Sequence, residues 1–128
     1  MAVTLTTKAR NAAADAVVDL IDEGSGAGHI AFTLSNGTTV LCTCTMSDPA
    51  FGAASTGVAT ASAIAQGTVS GSSNPSTIAL ALFRDSDSEE MFRCAVGTSG
   101  SDINLSAVAV NNGDTIDITS LTYTQPAS

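Results

Sequence analysis

From Thr7 to Glu23 the apolar residues recur every three or four positions, so that Ala9, Ala13, Ala16, Val17, Leu20 and Ile21 share one face of a helix. Thr6 or Thr7 can cap its start, and Gly24 can close its end in the left-handed conformation. After the glycine-rich joint Ser25–Gly28 the period changes to two. Ile30, Phe32 and Leu34 alternate with Ala31 and Thr33, Asn36-Gly37 supplies a tight turn, and Val40, Cys42, Cys44 and Met46 alternate again, which predicts a β-hairpin. Ser47 to Gly57, with Asp48-Pro49, interrupts pairing as a loop, and a short strand is expected over Val58 to Ile64. Residues 67–76 are rich in Gly and Ser and are expected to form a flexible loop. Thr77 to Arg84 is apolar on both faces, with Ile78, Leu80 and Leu82 on one and Ala79, Ala81 and Phe83 on the other. Such a strand is covered on both sides, here by a second sheet and by the helix or a neighbouring subunit.

The polar run Asp85–Glu90 turns the chain into a strand over Met91 to Val96, a second hairpin. Further strands are expected over Ile103 to Val110 and, beyond the turn residues Asn111–Asp114, over Thr115 to Thr124. In the last strand the inward set shifts from Ile116 and Ile118 to Leu121 and Tyr123, an offset that a β-bulge near Ser120 would explain. The expected fold is therefore mainly β: an antiparallel β-sandwich or jelly roll over residues 29–124, behind one N-terminal amphipathic α-helix over residues 6–24. The 128 residues suit a single domain spanning positions 1–128.

Composition narrows the function. The net charge is −8, and the only Lys and Arg residues are Lys8, Arg10, Arg84 and Arg93, too few and too scattered to neutralise phosphates. Nucleic acid and anionic membrane are thus not expected partners, and no apolar stretch approaches the ~20 residues needed to span a bilayer. Asp15 interrupts the only N-terminal segment that resembles a signal peptide, so no export is expected. Cys42, Cys44 and Cys94 are then expected as free thiols, with Cys42 and Cys44 pointing to one face of their strand. A metal held by that pair would need further ligands, and the sole histidine is His29.

Catalysis finds little footing. His29 lies beside a glycine joint, and neither Gly24-Ser-Gly-Ala-Gly28 nor Gly97-Thr-Ser-Gly100 forms a nucleophile elbow. The acidic turn Asp85, Asp87, Glu89, Glu90 begins like a calcium loop but lacks the central glycine and late glutamate, and is expected to be a solvated hairpin tip. No cofactor, metal or catalytic residue is expected.

Three stretches carry a more specific mark: Ser47-Asp-Pro-Ala-Phe-Gly-Ala-Ala-Ser-Thr-Gly-Val-Ala-Thr-Ala61, Phe83-Arg-Asp-Ser-Asp87 and Val96-Gly-Thr-Ser-Gly-Ser-Asp-Ile-Asn-Leu105. With the amphipathic opening Ala9–Val18 and the ending Gly113 to Thr124, the chain resembles a family of small proteins encoded among the structural genes of tailed bacteriophages. It departs from that pattern at Ser88, where relatives usually carry glycine, and at Cys42 and Cys44, which replace ordinary strand residues. The resemblance implies a head decoration, or cement, protein on the exterior of the virion capsid, made in the host cytoplasm, with the major capsid protein as partner. Phe51, Ala79, Ala81 and Phe83 are the expected subunit or capsid contacts, and self-association into a homotrimer is favoured over a dimer. A tail or surface module for a host receptor or glycan is the alternative, and a wall hydrolase would need paired carboxylates in a cleft.

Overall fold

The computed structural model describes residues 3–127. The fold is mainly β with one N-terminal helix, as the periodicity predicts. Helix α1 (Thr7–Asp19) runs on into a single 3-10 turn over Leu20–Asp22. The Thr6 hydroxyl accepts the Ala9 N–H at 3.2 Å, and Gly24 takes φ +94° where the helix ends.

Eleven strands follow among the described residues: β1 (His29–Thr33), β2 (Val40–Thr45), β3 (Val58–Thr60), β4 (Gly67–Thr68), β5 (Ser76–Thr77), β6 (Leu80–Arg84), β7 (Glu90–Gly97), β8 (Ile103–Asn104), β9 (Ala109–Val110), β10 (Thr115–Ile116) and β11 (Thr122–Thr124). The main sheet has the order β2-β1-β6-β7-β8, antiparallel except for a short parallel pairing of β7 with β8. Three two-stranded ladders complete the sandwich: β10 with β4, β11 with β3, and β5 with β9.

Residues directly paired across strands point to the same side of a sheet. The register therefore puts Ile30, Phe32, Cys42, Cys44, Ala81, Phe83, Phe92 and Cys94 on one face. Phe51, Ala59, Val69 and Ile116 join that face in one buried core, which also takes in Val18 and Ile21 from the helical segment. Gly67 passes so close over β2 that a Cβ there would stand 2.5 Å from the Thr43 carbonyl oxygen and 2.6 and 2.9 Å from the sulfurs of Cys42 and Cys44. Only glycine allows this approach.

Both faces of β6 hold buried residues, and the helix packs elsewhere. The helix packs on β3 and β11. On the outer face Ala31 and Leu82 are 0% and 1% exposed, and Arg93, paired with Leu82, reaches across the sheet to the β1–β2 turn, where its guanidinium lies beside Gly37.

The helix also turns differently from its apolar pattern. Ala14, Val18 and Ile21 are buried, whereas Ala9, Ala16 and Leu20 face solvent. The cause is polar. Asn11, Asp15 and Asp22 lie along the inner flank and accept hydrogen bonds from the backbone N–H groups of Gly57, Ala54 and Ala50, at 2.7, 2.7 and 2.8 Å. Burying the Ala9 face would leave these amides of the 50–57 loop without partners.

Three other expectations change. The segment 67–76 contains β4 and the start of β5, with Val69 buried between them, where composition suggested a flexible loop. Side-chain to backbone bonds tie it to the Asn111–Asp114 turn: Asn112 accepts from the Ser72 N–H, and Asn74 from the Asn112 N–H. The strands expected over Val58–Ile64 and Ile103–Val110 are shorter or divided. The offset within 115–124 is not a bulge, because the chain leaves one ladder at Ile116 and joins another at Thr122.

Candidate functional site

Of the four expected contact residues, Phe51, Ala81 and Phe83 are buried within the chain itself, at 5%, 0% and 3% exposure. Ala79 is half-buried, and its backbone is locked between neighbours, with its N–H on the Thr33 carbonyl and its C=O on the Val96 N–H, both at 2.9 Å. Ala81 and Phe83 lie on β6, a central strand of the main sheet, and are buried by the same chain.

The acidic turn is not simply solvated. Asp85 is buried, and one oxygen of its carboxylate accepts the N–H groups of Asp87 and Glu89 at 2.9 and 3.0 Å, which fixes the β6–β7 connection. Asp87 and Glu89 are exposed. Among the described residues no three His, Cys, Asp or Glu side chains converge on a point.

The thiols are all free, with Cys42 and Cys44 buried. A hydrogen bond with Cys42, then burial, pushes the Cys44 thiol far up, so it stays protonated. Burial, then the nearby Asp102 carboxylate, pushes Cys94 up to about 11. Neither favours a thiolate nucleophile. His29 is shifted below its ordinary range by burial and by the Arg84 guanidinium, an environment that keeps the imidazole neutral.

The concave surface lies elsewhere. A trough of about 550 Å³ opens between β7 and β11. Phe51, Phe83, Phe92 and Tyr123 line it, four of the five aromatic residues in the chain. Phe92 stacks on Phe83 with ring centroids 4.5 Å apart and meets Tyr123 at 5.5 Å, tilted by 49°. The Tyr123 hydroxyl is fixed by Gln125 at 3.1 Å. Two adjoining hollows extend the trough past Asp102 and Leu121 to Asp117 and on to Asp114 and Ile116.

Thus Phe51 and Phe83 do meet at one place, as part of the trough, while Ala79 and Ala81 stay apart from it. Sequence reading missed Phe92, Asp102 and Tyr123. Its available signal was the scarcity of aromatics, which makes their convergence meaningful only once the topology is known. Comparison of the chain with protein-family models, curated proteins and solved structures finds no match.

Proposed function

We propose that this chain is a structural protein of a tailed-bacteriophage virion, a non-enzymatic cement that decorates the outside of the capsid and stabilises it. The observation that carries this reading is the trough, an open, aromatic-lined seam suited to docking another protein. The motifs behind the family resemblance add support of a different kind. Ser47–Ala61 is the loop held by the helix, Phe83–Asp87 leads into the Asp85-capped turn, and Val96–Leu105 makes the β7–β8 connection. All three explain themselves as scaffold.

In this reading the major capsid protein is the partner. A homotrimer is favoured over a dimer because closed symmetry suits three-fold lattice positions, although β6 no longer supplies its contact. No helix among the described residues is long and apolar enough to cross a membrane. Capsids lacking the protein should assemble yet release DNA sooner on heating or chelation, because interface contacts that favour the closed shell are gone. Particles equally robust without it would overturn the proposal.

A receptor or glycan module is the second reading, favoured by Tyr123 and Phe92 beside Asp102, since carbohydrate sites pair an aromatic platform with acceptors. Saturable binding of a host glycan, abolished by Tyr123→Ala, would support it over the cement.

A further inference from the structure

We infer that the trough is an acceptor for a β-strand: an extended, basic segment of a partner protein adds to the free edge of β11, opposite the free edge of β7. The inference rests on the geometry of two strand edges and on the charge beside them, and stands whether or not the partner is a capsid protein.

The first ground is the state of the two edges. In an antiparallel pair each residue directs both its N–H and its C=O to the same side, and successive residues alternate. The Leu121 C=O accepts from the Ala61 N–H at 2.9 Å and the Gln125 N–H donates to the Gly57 C=O at 2.8 Å, with Tyr123 paired to Ala59. Residues 121, 123 and 125 thus face β3, and Thr122 and Thr124 turn their amide groups outward. On the other wall the Val96 N–H donates to the Ala79 C=O, so residues 92, 94 and 96 face β6 and Arg93 faces outward. The Ala95 N–H also faces outward and is taken by the Asp102 carboxylate at 3.1 Å, which closes one end of the seam. Within the described residues β11 pairs with β3 alone, and β7 gains its second neighbour, β8, only at Val96.

The trough is therefore lined by consecutive residues, Phe92-Arg93-Cys94 and Leu121–Thr124, whose side chains point to alternate faces. Both runs belong to the strands whose edges face the slot. An open strand edge is a template for another strand, and proteins commonly blunt such edges with charge, bulges or cover. Here Asp102 blunts one end, and the part beside Thr122 and Thr124 is left open above an aromatic floor. A guest strand would find backbone partners at its edge and, at every second residue, apolar contact with Phe92 and Tyr123.

The second ground is charge, which selects the guest. The trough and its extension carry Asp102, Asp114 and Asp117. Arg93, the one cation along it, donates from Nε and Nη2 to the two carboxylate oxygens of Glu90 at 2.6 and 2.7 Å. A basic segment fits this lining, whereas an acidic segment would meet Asp102, Asp114 and Asp117 as like charges.

The test uses the full-length protein and a short capped peptide of alternating valine and lysine. Tyr123 is the single tyrosine and the chain has no tryptophan, so intrinsic fluorescence reports on the trough itself. The expected result is saturable binding with a Kd below about 1 mM, together with at least about tenfold slower amide exchange at Thr122 and Thr124. The same peptide methylated on alternate backbone nitrogens, or with glutamate for lysine, should bind at least about tenfold more weakly. Thr124→Pro removes an outward N–H and no bond to β3, so it should abolish binding while the melting curve is kept; if that variant does not fold, the methylated peptide still decides. Equal binding of the methylated and parent peptides, protection confined to other strands, or no binding at all would overturn the inference. Concentration-dependent self-association that protects Thr122 and Thr124 without peptide would also overturn it, identifying the guest as a second copy. Preferential binding of a glycan at Tyr123 would do the same. None of these outcomes bears on particle stability, which tests the cement proposal separately.

Discussion

Replacing Asp15 with alanine should loosen the 50–57 loop from the helix. The carboxylate accepts the Ala54 N–H at 2.7 Å in a half-buried position, and nothing else among the described residues bonds to that amide. Losing a charge-assisted acceptor and leaving an amide unsatisfied costs about 2 kcal/mol. Alanine is the better helix former by about 0.6 kcal/mol, which acts the other way. The net expectation is a loss of about 1.4 kcal/mol, or a fall in Tm of about 5 °C for a domain of this size. In urea, with a slope of about 1.5–2 kcal/mol per molar, the midpoint should drop by about 0.8 M. Asp15→Asn keeps an acceptor oxygen and should lose less than half as much. Asn11 anchors the same loop at Gly57, so Asn11→Ala combined with Asp15→Ala should cost less than the two singly, by about 0.5 kcal/mol or more. Equal stabilities for the alanine and asparagine variants, or an alanine variant within about 0.3 kcal/mol of the parent, would refute the account of the helix orientation.

Ser88 sits at φ +65° in the β6–β7 turn, so Ser88→Gly should raise Tm by about 2–4 °C in a thermal melt. Ala81→Glu should unfold the single chain and not merely dissociate an oligomer: a buried carboxylate with no partner costs about 4–7 kcal/mol, a large share of a typical stability of about 5–15 kcal/mol, and far-ultraviolet circular dichroism would read the loss. Stability should fall on acidification in two windows. Below the ordinary His29 value of 6.5 the unfolded chain binds a proton that the folded imidazole, with its lowered pKa, refuses; below the ordinary Glu90 value of 4.5 the carboxylate held low by its bonds to Arg93 loses that contribution as pH falls through its folded pKa. His29→Gln should remove the upper window in urea titrations and leave the lower one. Thiol labelling of the folded protein should be slow at Cys42 and Cys44, which are buried, and should show no fast thiolate phase at Cys94, whose pKa is pushed to about 11.

The elements were legible where local chemistry decides them. Period-two alternation with Asn36-Gly37 and Asp85–Glu90 marked both hairpins, and Thr6 and Gly24 bounded the helix. Ser88 occupies the left-handed region in that turn, a conformation glycine adopts without strain. The inner face of the helix was not legible from hydrophobicity, because small alanines lie all round it and its orientation is set by Asn11, Asp15 and Asp22. Those three polar residues share a flank, a signal that an apolar pattern discards. Ladder partners for β4, β5 and β9 to β11 could not be read either, since two- and three-residue strands carry too little alternation to specify a neighbour. The trough needs that unreadable part: the β6–β7 hairpin brings Phe83 to Phe92, but Tyr123 reaches them only through the pairing of β11 with β3.

The central claim is that this protein works as a repeated structural component of a capsid exterior. Its most direct test is the number of copies per purified virion, measured by quantitative mass spectrometry against the major capsid protein. Hundreds of copies per particle, in a fixed ratio to the capsid protein and accessible to antibody on intact heads, are predicted. Only a few copies, located at the tail, would contradict the account and leave the receptor-binding reading in its place.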